Sequence, residues 1–133
     1  MPFVLDASVT ACWAFHDEDH PQADLALARL GRDHALAPSL WWFELRNMLV
    51  VNEHRKRITL AETAAFLRDL SSLPVTLDST PDEAEVLRLA RAHRLSVYDA
   101  AYLELAQRSG VALASLDAAL VRAAHLESVP VLA

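Results

Sequence analysis

Four acids carry the chemistry this sequence offers. Asp6 directly follows an apolar run at residues 3–5, and Asp117 lies just beyond another at residues 111–114. Runs of that length and composition read as buried strands. In open parallel sheets the working crevice lies outside the carboxyl ends of the strands, so both acids point to one rim. Each would also serve as a helix N-cap, meeting free amides and the positive end of the dipole. Glu44 sits inside the run 40–48, and its helical face carries Leu40, Trp41, Asn47, Met48 and Val51. A carboxylate aimed at such a surface needs a partner, either an arginine from elsewhere or a cation shared with other acids. Asp99 repeats the situation, with Leu95, Tyr102, Leu103 and Ala106 on its side of a helix and a capping-box spacing from Ser96 as the alternative. Four acids converging without a counter-charge would raise one another's pKa values or destabilise the fold. A hard divalent cation, Mg²⁺ or Mn²⁺, removes that cost.

Other uses of such acids need groups this chain lacks. A phosphate-cradling loop or a dinucleotide fingerprint requires a glycine-rich turn, and the two glycines, Gly31 and Gly110, stand far apart after helices. A phospho-acceptor aspartate calls for a lysine at a strand end, whereas the sole lysine, Lys56, lies late in a helix within Arg55-Lys56-Arg57. Asp6-Ala7-Ser8 also lacks a second acid two residues on.

Strands are expected at residues 3–5, 35–37, 75–77, 111–114 and 129–132, the last carrying Pro130 and therefore belonging on a sheet edge. Between them, helical patterns cover residues 7–15, 23–30 (closed by Gly31), 39 to about 57 and 59–70, where Thr59 and Glu62 match a capping box. Further helices open at Thr80-Pro81-Asp82-Glu83, at Ser96 and after Asp117. A polar break at residues 17–21 precedes the second helix. Short apolar strands separated by helices argue for an α/β fold in three layers, α/β/α, with a short, mainly parallel central sheet of 4–5 strands and about seven flanking helices. Residues 1–133 read as a single domain.

At 133 residues, 53% hydrophobic and 23% charged, the chain is too apolar for disorder and long enough to bury roughly 65–70% of its unfolded surface. Eighteen acids against twelve Lys and Arg leave a formal charge of −6, the wrong sign for coating nucleic acid by counterion release, so any such contact must be local. A single cysteine, Cys12, excludes an internal disulfide and fits a reducing cytoplasm. There is no basic leader at the start and no run of the ~18 apolar residues that a membrane span requires, so a cytoplasmic protein without membrane attachment is expected.

Four segments in register resemble a known family: Val4-Leu5-Asp6-Ala7-Ser8-Val9, residues 41–49 around Glu44, Tyr98-Asp99-Ala100-Ala101-Tyr102-Leu103-Glu104-Leu105-Ala106, and Leu113-Ala114-Ser115-Leu116-Asp117. Together they look like a PIN domain, specifically a VapC-type toxin of a bacterial toxin–antitoxin pair. The resemblance implies a PIN-like fold and a Mg²⁺- or Mn²⁺-dependent endoribonuclease with Asp6, Glu44, Asp99 and Asp117 as its acidic site. In that reading Asp6 and Asp99 ligate the ion, Glu44 ligates it or binds through water, and Asp117 tunes the site or holds a second ion. Ser8, Asn47 and Ser115 stand where the family places small polar residues beside the acids. The resemblance also implies a cognate antitoxin and a homodimer. Two departures stand out: Ser128 replaces a common turn glycine, and alanines rather than basic residues follow Asp117.

Of the cations, Arg46 is the candidate for RNA contact, while Arg88, Arg91 and Arg94 and the triplet at 55–57 read as solvated or helix-end charges. The six histidines are scattered without the paired spacing of a metal motif. Among Trp41, Trp42 and Phe43 at least one is core, and another suits an interface. Leu60, Phe66, Leu67 and Leu70 with Trp42 read as a groove for a partner helix. Two alternatives stand beside the ribonuclease: a catalytically weak PIN-like module that binds a protein, and a metal-dependent DNA nuclease.

Overall fold

A run of three or four apolar residues is too short to bury itself except inside a sheet, and each such run here does so. The structure, a computed structural model, describes residues 1–15 and 19–132; His16 and the Asp17-Glu18 part of the expected polar break lie outside them. Strands β1 (Phe3–Leu5), β2 (Ala35–Pro38), β3 (Val75–Asp78) and β4 (Ala112–Ala114) form a parallel sheet in the order β3-β2-β1-β4. Phe3, Val4 and Leu5 are wholly buried on both faces of the sheet. Helices α1 (Ala7–Cys12), α2 (Pro21–Arg29), α3 (Leu40–His54), α4 (Leu60–Leu70), α5 (Glu83–His93), α6 (Val97–Ser109) and α7 (Ala118–Leu126) complete the three layers. Among the described residues, no helix is long and apolar enough to cross a membrane.

From β1 the chain steps to β2 and β3 on one side, then returns with β4 on the other. That reversal makes the carboxyl end of β1 the switch point where an open α/β sheet splays its loops apart. The Asp6 amide extends the ladder by bonding Ala114 O at 3.0 Å. Asp6 thus leaves β1 beside the loop that leads from β4 to Asp117.

The expected capping box is complete: Thr59 Oγ1 accepts the Glu62 amide and Glu62 accepts the Thr59 amide. Gly110 closes α6 in the left-handed region at φ 66°, while Gly31 is not left-handed. Three assignments depart furthest from expectation. Helix α1 stops at Cys12 rather than at residue 15, because Trp13 and Phe15 are apolar for packing rather than for helix; the Trp13 indole donates to Ala23 O at 2.8 Å. Helix α3 ends at His54, short of residue 57, where Lys56 turns left-handed at φ 59°. The expected strand at 129–132 is reduced to one parallel bridge between Leu113 and Val131, flanked by bonds from Leu113 N to Pro130 O and from Leu132 N to Leu113 O. Pro130 lies on that edge as expected, offering only its carbonyl. Ser128 adopts φ 60°, the conformation for which a glycine would be the easier residue.

Candidate active site

Asp6 caps α1, and its buried carboxylate is the most elaborately held of the four acids. Oδ2 accepts the hydroxyls of Ser115 at 2.6 Å and Ser8 at 2.9 Å, while Oδ1 accepts the Ser8 amide at 3.5 Å. Each hydroxyl also accepts an amide from the loop after β4: Leu116 N–H bonds Ser8 Oγ and Asp117 N–H bonds Ser115 Oγ, both at 3.1 Å. The two serines therefore tie this loop to Asp6. Burial pushes the Asp6 carboxyl above its ordinary range, opposed by the hydroxyls of Ser115 and Ser8 and the amides of Ser8 and Ala7.

Helix α3 brings in Glu44. Its entry is fixed by Trp41, whose indole donates to Thr10 Oγ1 at 3.0 Å, while Thr10 in turn donates to Asp6 O. Glu44 is half-buried, and its partner is a phenol rather than an arginine: Tyr102 Oη donates to Oε1 at 2.7 Å. Burial raises the Glu44 pKa first, and the charges of Asp6 and Asp99 raise it further against the Tyr102 bond. Asp99 is also half-buried and raised, by burial and then by the charges of Asp117 and Asp6. Ser96 Oγ accepts the Asp99 amide at 3.0 Å, so half of the expected capping box forms. Asp117 is exposed and caps α7 through a 2.9 Å bond from Leu120 N–H.

Electrostatic coupling thus links all four acids: Asp6 with Glu44 and Asp99, and Asp99 with Asp117. Among the described residues, none of the four has an ion pair with lysine, arginine or histidine. Such a set fits a hard divalent cation in its donor chemistry. Among the described residues no three His, Cys, Asp or Glu side chains already form a cage for an ion. The arrangement suits a cation that keeps several of its waters and takes one or two carboxylates directly, as Mg²⁺ does.

The other candidates divide. Ser8 and Ser115 touch Asp6, whereas Asn47 is exposed on α3 and bonds to none of the acids. Arg46 lies over the Trp42 ring at 3.8 Å and donates to Trp42 O, in a groove lined by Leu67, Leu70, Leu73, Val75 and Leu77 rather than beside the acids. Of the expected groove residues, Trp42, Leu67 and Leu70 share this surface. Phe66 faces a separate pocket with Trp13 and Leu27, and Leu60 a third with Ile58 and Glu53. The reading from the sequence passed over Tyr102 as a polar group and Thr10 altogether. Tyr102 was detectable as a hydroxyl three residues beyond Asp99 on the same helical face.

Comparison with known proteins agrees with this geometry. The PIN domain family model matches residues 3–126. Ribonuclease VapC3 of Pyrobaculum aerophilum is 33% identical over 121 residues, spanning 88% of this chain and 90% of that protein. The crystal structure of PAE2754, also from Pyrobaculum aerophilum, superposes with a TM-score of 0.72 over 92% of this chain and 84% of that one, at 24% identity, a likeness of fold. A parallel sheet whose switch point gathers four coupled acids, together with these matches, places the chain in the PIN-domain family, as a protein of the VapC ribonuclease type.

Proposed function

We propose that this chain is a divalent-metal-dependent endoribonuclease, the toxin of a toxin–antitoxin pair, acting in the cytoplasm. The observation that carries the proposal is a chain of interacting carboxylates, Asp6 and Asp117 after β1 and β4 with Glu44 on α3 and Asp99 on α6, none with a cationic partner among the described residues. Asp6, Asp99 and Glu44 would hold Mg²⁺ or Mn²⁺, with Asp117 at the solvent side. When bound, the ion lowers the pKa of a water and offsets charge developing on the phosphodiester. The chain's own part is to keep Asp6 ionised and aimed, through the Ser8 and Ser115 hydroxyls, and to hold Glu44 apart from Asp6 through Tyr102. Attack by water rather than by the RNA 2′-hydroxyl leaves a 5′-phosphate and a 3′-hydroxyl. The groove of Trp42, Leu67 and Leu70 is the surface for the antitoxin, and a homodimer is the expected assembly.

The test is incubation of the purified, antitoxin-free chain with total cellular RNA in Mg²⁺, Mn²⁺ or EDTA, beside Asp6→Asn, with mapping of new 5′ ends. Asp6→Asn is expected to lower cleavage by at least about 100-fold while preserving the fold. Cuts that persist in EDTA or in the variant would overturn the site. Faster cleavage of single-stranded DNA than of RNA of the same sequence would overturn the substrate.

A further inference from the structure

Tyr102 is wholly buried in α6, yet its hydroxyl reaches across 58 residues of sequence to Glu44 Oε1 on α3, at 2.7 Å. A buried phenol in an apolar helix interior requires a hydrogen-bond partner, so the pairing fixes the Glu44 side chain as firmly as it satisfies the tyrosine. Tyr102 lies one helical turn beyond Asp99, so one face of α6 supplies an acid of the cluster and holds a second acid that arrives on a different helix. Glu44 Oε1 is thereby occupied, while Oε2 accepts no hydrogen bond among the described residues.

We propose that Tyr102 is the positioning residue for Glu44, clamping Oε1 so that Oε2 alone is presented to the site. The inference rests on the reading of the acids as a divalent-cation site. Without the hydroxyl, Glu44 would sample several rotamers, and repulsion from Asp6 and Asp99 would favour those turned toward solvent. Partners that orient a metal ligand in this way typically contribute about 10- to 100-fold in affinity.

The test is Mn²⁺ binding by isothermal calorimetry on four full-length chains: wild type, Tyr102→Phe, Glu44→Gln and the double variant. Tyr102→Phe keeps the ring and removes one oxygen. It is expected to weaken Mn²⁺ binding by about 10- to 100-fold and to have no further effect in the Glu44→Gln background. An unchanged affinity in Tyr102→Phe overturns the assignment. So does an equal loss in both backgrounds, which is the signature of a packing role independent of Glu44. Wild-type protein that binds no Mn²⁺ overturns the cation reading itself, and the assignment with it, a result distinct from either of those.

Discussion

Asp6 has two oxygens in unequal circumstances, one holding two short hydroxyl bonds and the other a long bond from the Ser8 amide. Ser115 supplies the shorter of those hydroxyls and also accepts the Asp117 amide, so one side chain governs both the first acid and the approach to the fourth. Ser115→Ala should lower the cleavage rate about 10- to 100-fold. It should also cost about 1–3 kcal/mol of stability, because a buried acceptor loses a donor. Single-turnover cleavage and urea denaturation check the two effects, and an unaltered rate would remove the hydroxyl from the site. The four acids of the candidate site were legible in the sequence as acids at strand ends or on apolar helix faces. The capping role expected of Asp6 and Asp117 is realised in both, and capping α1 leaves the Asp6 charge close enough to act on Glu44. What could not be read was the partner of Glu44. Whether an arginine or a tyrosine arrives there depends on how α3 crosses α6, and no local spacing encodes that crossing.

At the scale of elements, α6 is held at its far end by an acid that attracted no attention in the sequence. Glu104 is only 1% exposed, yet Arg108 bonds both of its oxygens and reaches on to Asp78 at the end of β3, while the Asp82 amide bonds Oε1. A Glu–Arg pair four apart reads as an ordinary surface pair. Here the acid is buried while Arg108 stays exposed, and the bonds to Asp78 and from the Asp82 amide tie that end of α6 to the segment from β3 to α5. Because Asp99 and Tyr102 ride on the same helix, this anchor also sets where the acids stand. Arg108→Ala should destabilise the fold by about 1–3 kcal/mol, by leaving the buried Glu104 carboxylate short of donors. The double variant Glu104→Met, Arg108→Met should recover most of that loss, as replacing both charges with apolar groups removes the desolvation cost. Urea denaturation of the three chains decides the matter: equal losses in the single and double variants would mean that the charge is not the source. Strand and helix order was legible because each short apolar run could be buried only in a sheet. The errors fell at boundaries such as residues 13–15, where apolar character reports packing rather than helix.

Over the whole molecule, two sets of carboxylates respond to pH in opposite directions. Asp33 is lowered to about 2 by its bond from Arg29 and the N-terminal ammonium, and Asp78, Glu85 and Glu127 are lowered by arginine partners. These groups contribute stability above their unfolded pKa values and lose it as pH falls through the folded ones. Asp6, Glu44 and Asp99 are raised by burial, Glu44 further by the charges of Asp6 and Asp99, and Asp99 further by those of Asp117 and Asp6. Their folded pKa values exceed the unfolded ones, so their contribution is fully present below about pH 4 and is lost as pH rises through the folded values. The wild-type stability curve mixes both sets, but the difference between wild type and Asp99→Asn isolates the second. In EDTA the variant should melt above wild type at pH 7, because wild type alone carries the repelling charge. The gap should close as pH falls below about 4, where Asp99 becomes neutral in both states of the wild type. Saturating Mn²⁺ should reverse the order at pH 7. Wild type gains about 2.7 kcal/mol at a hundred times its dissociation constant, while the variant, missing a charged ligand, gains less at the same concentration. Thermal melts across pH with and without Mn²⁺ read all three effects. A variant that melts below wild type in EDTA would mean that Asp99 is paired in the folded state rather than repelled. A gap unchanged by Mn²⁺ would mean that the acid cluster is built for something other than a cation.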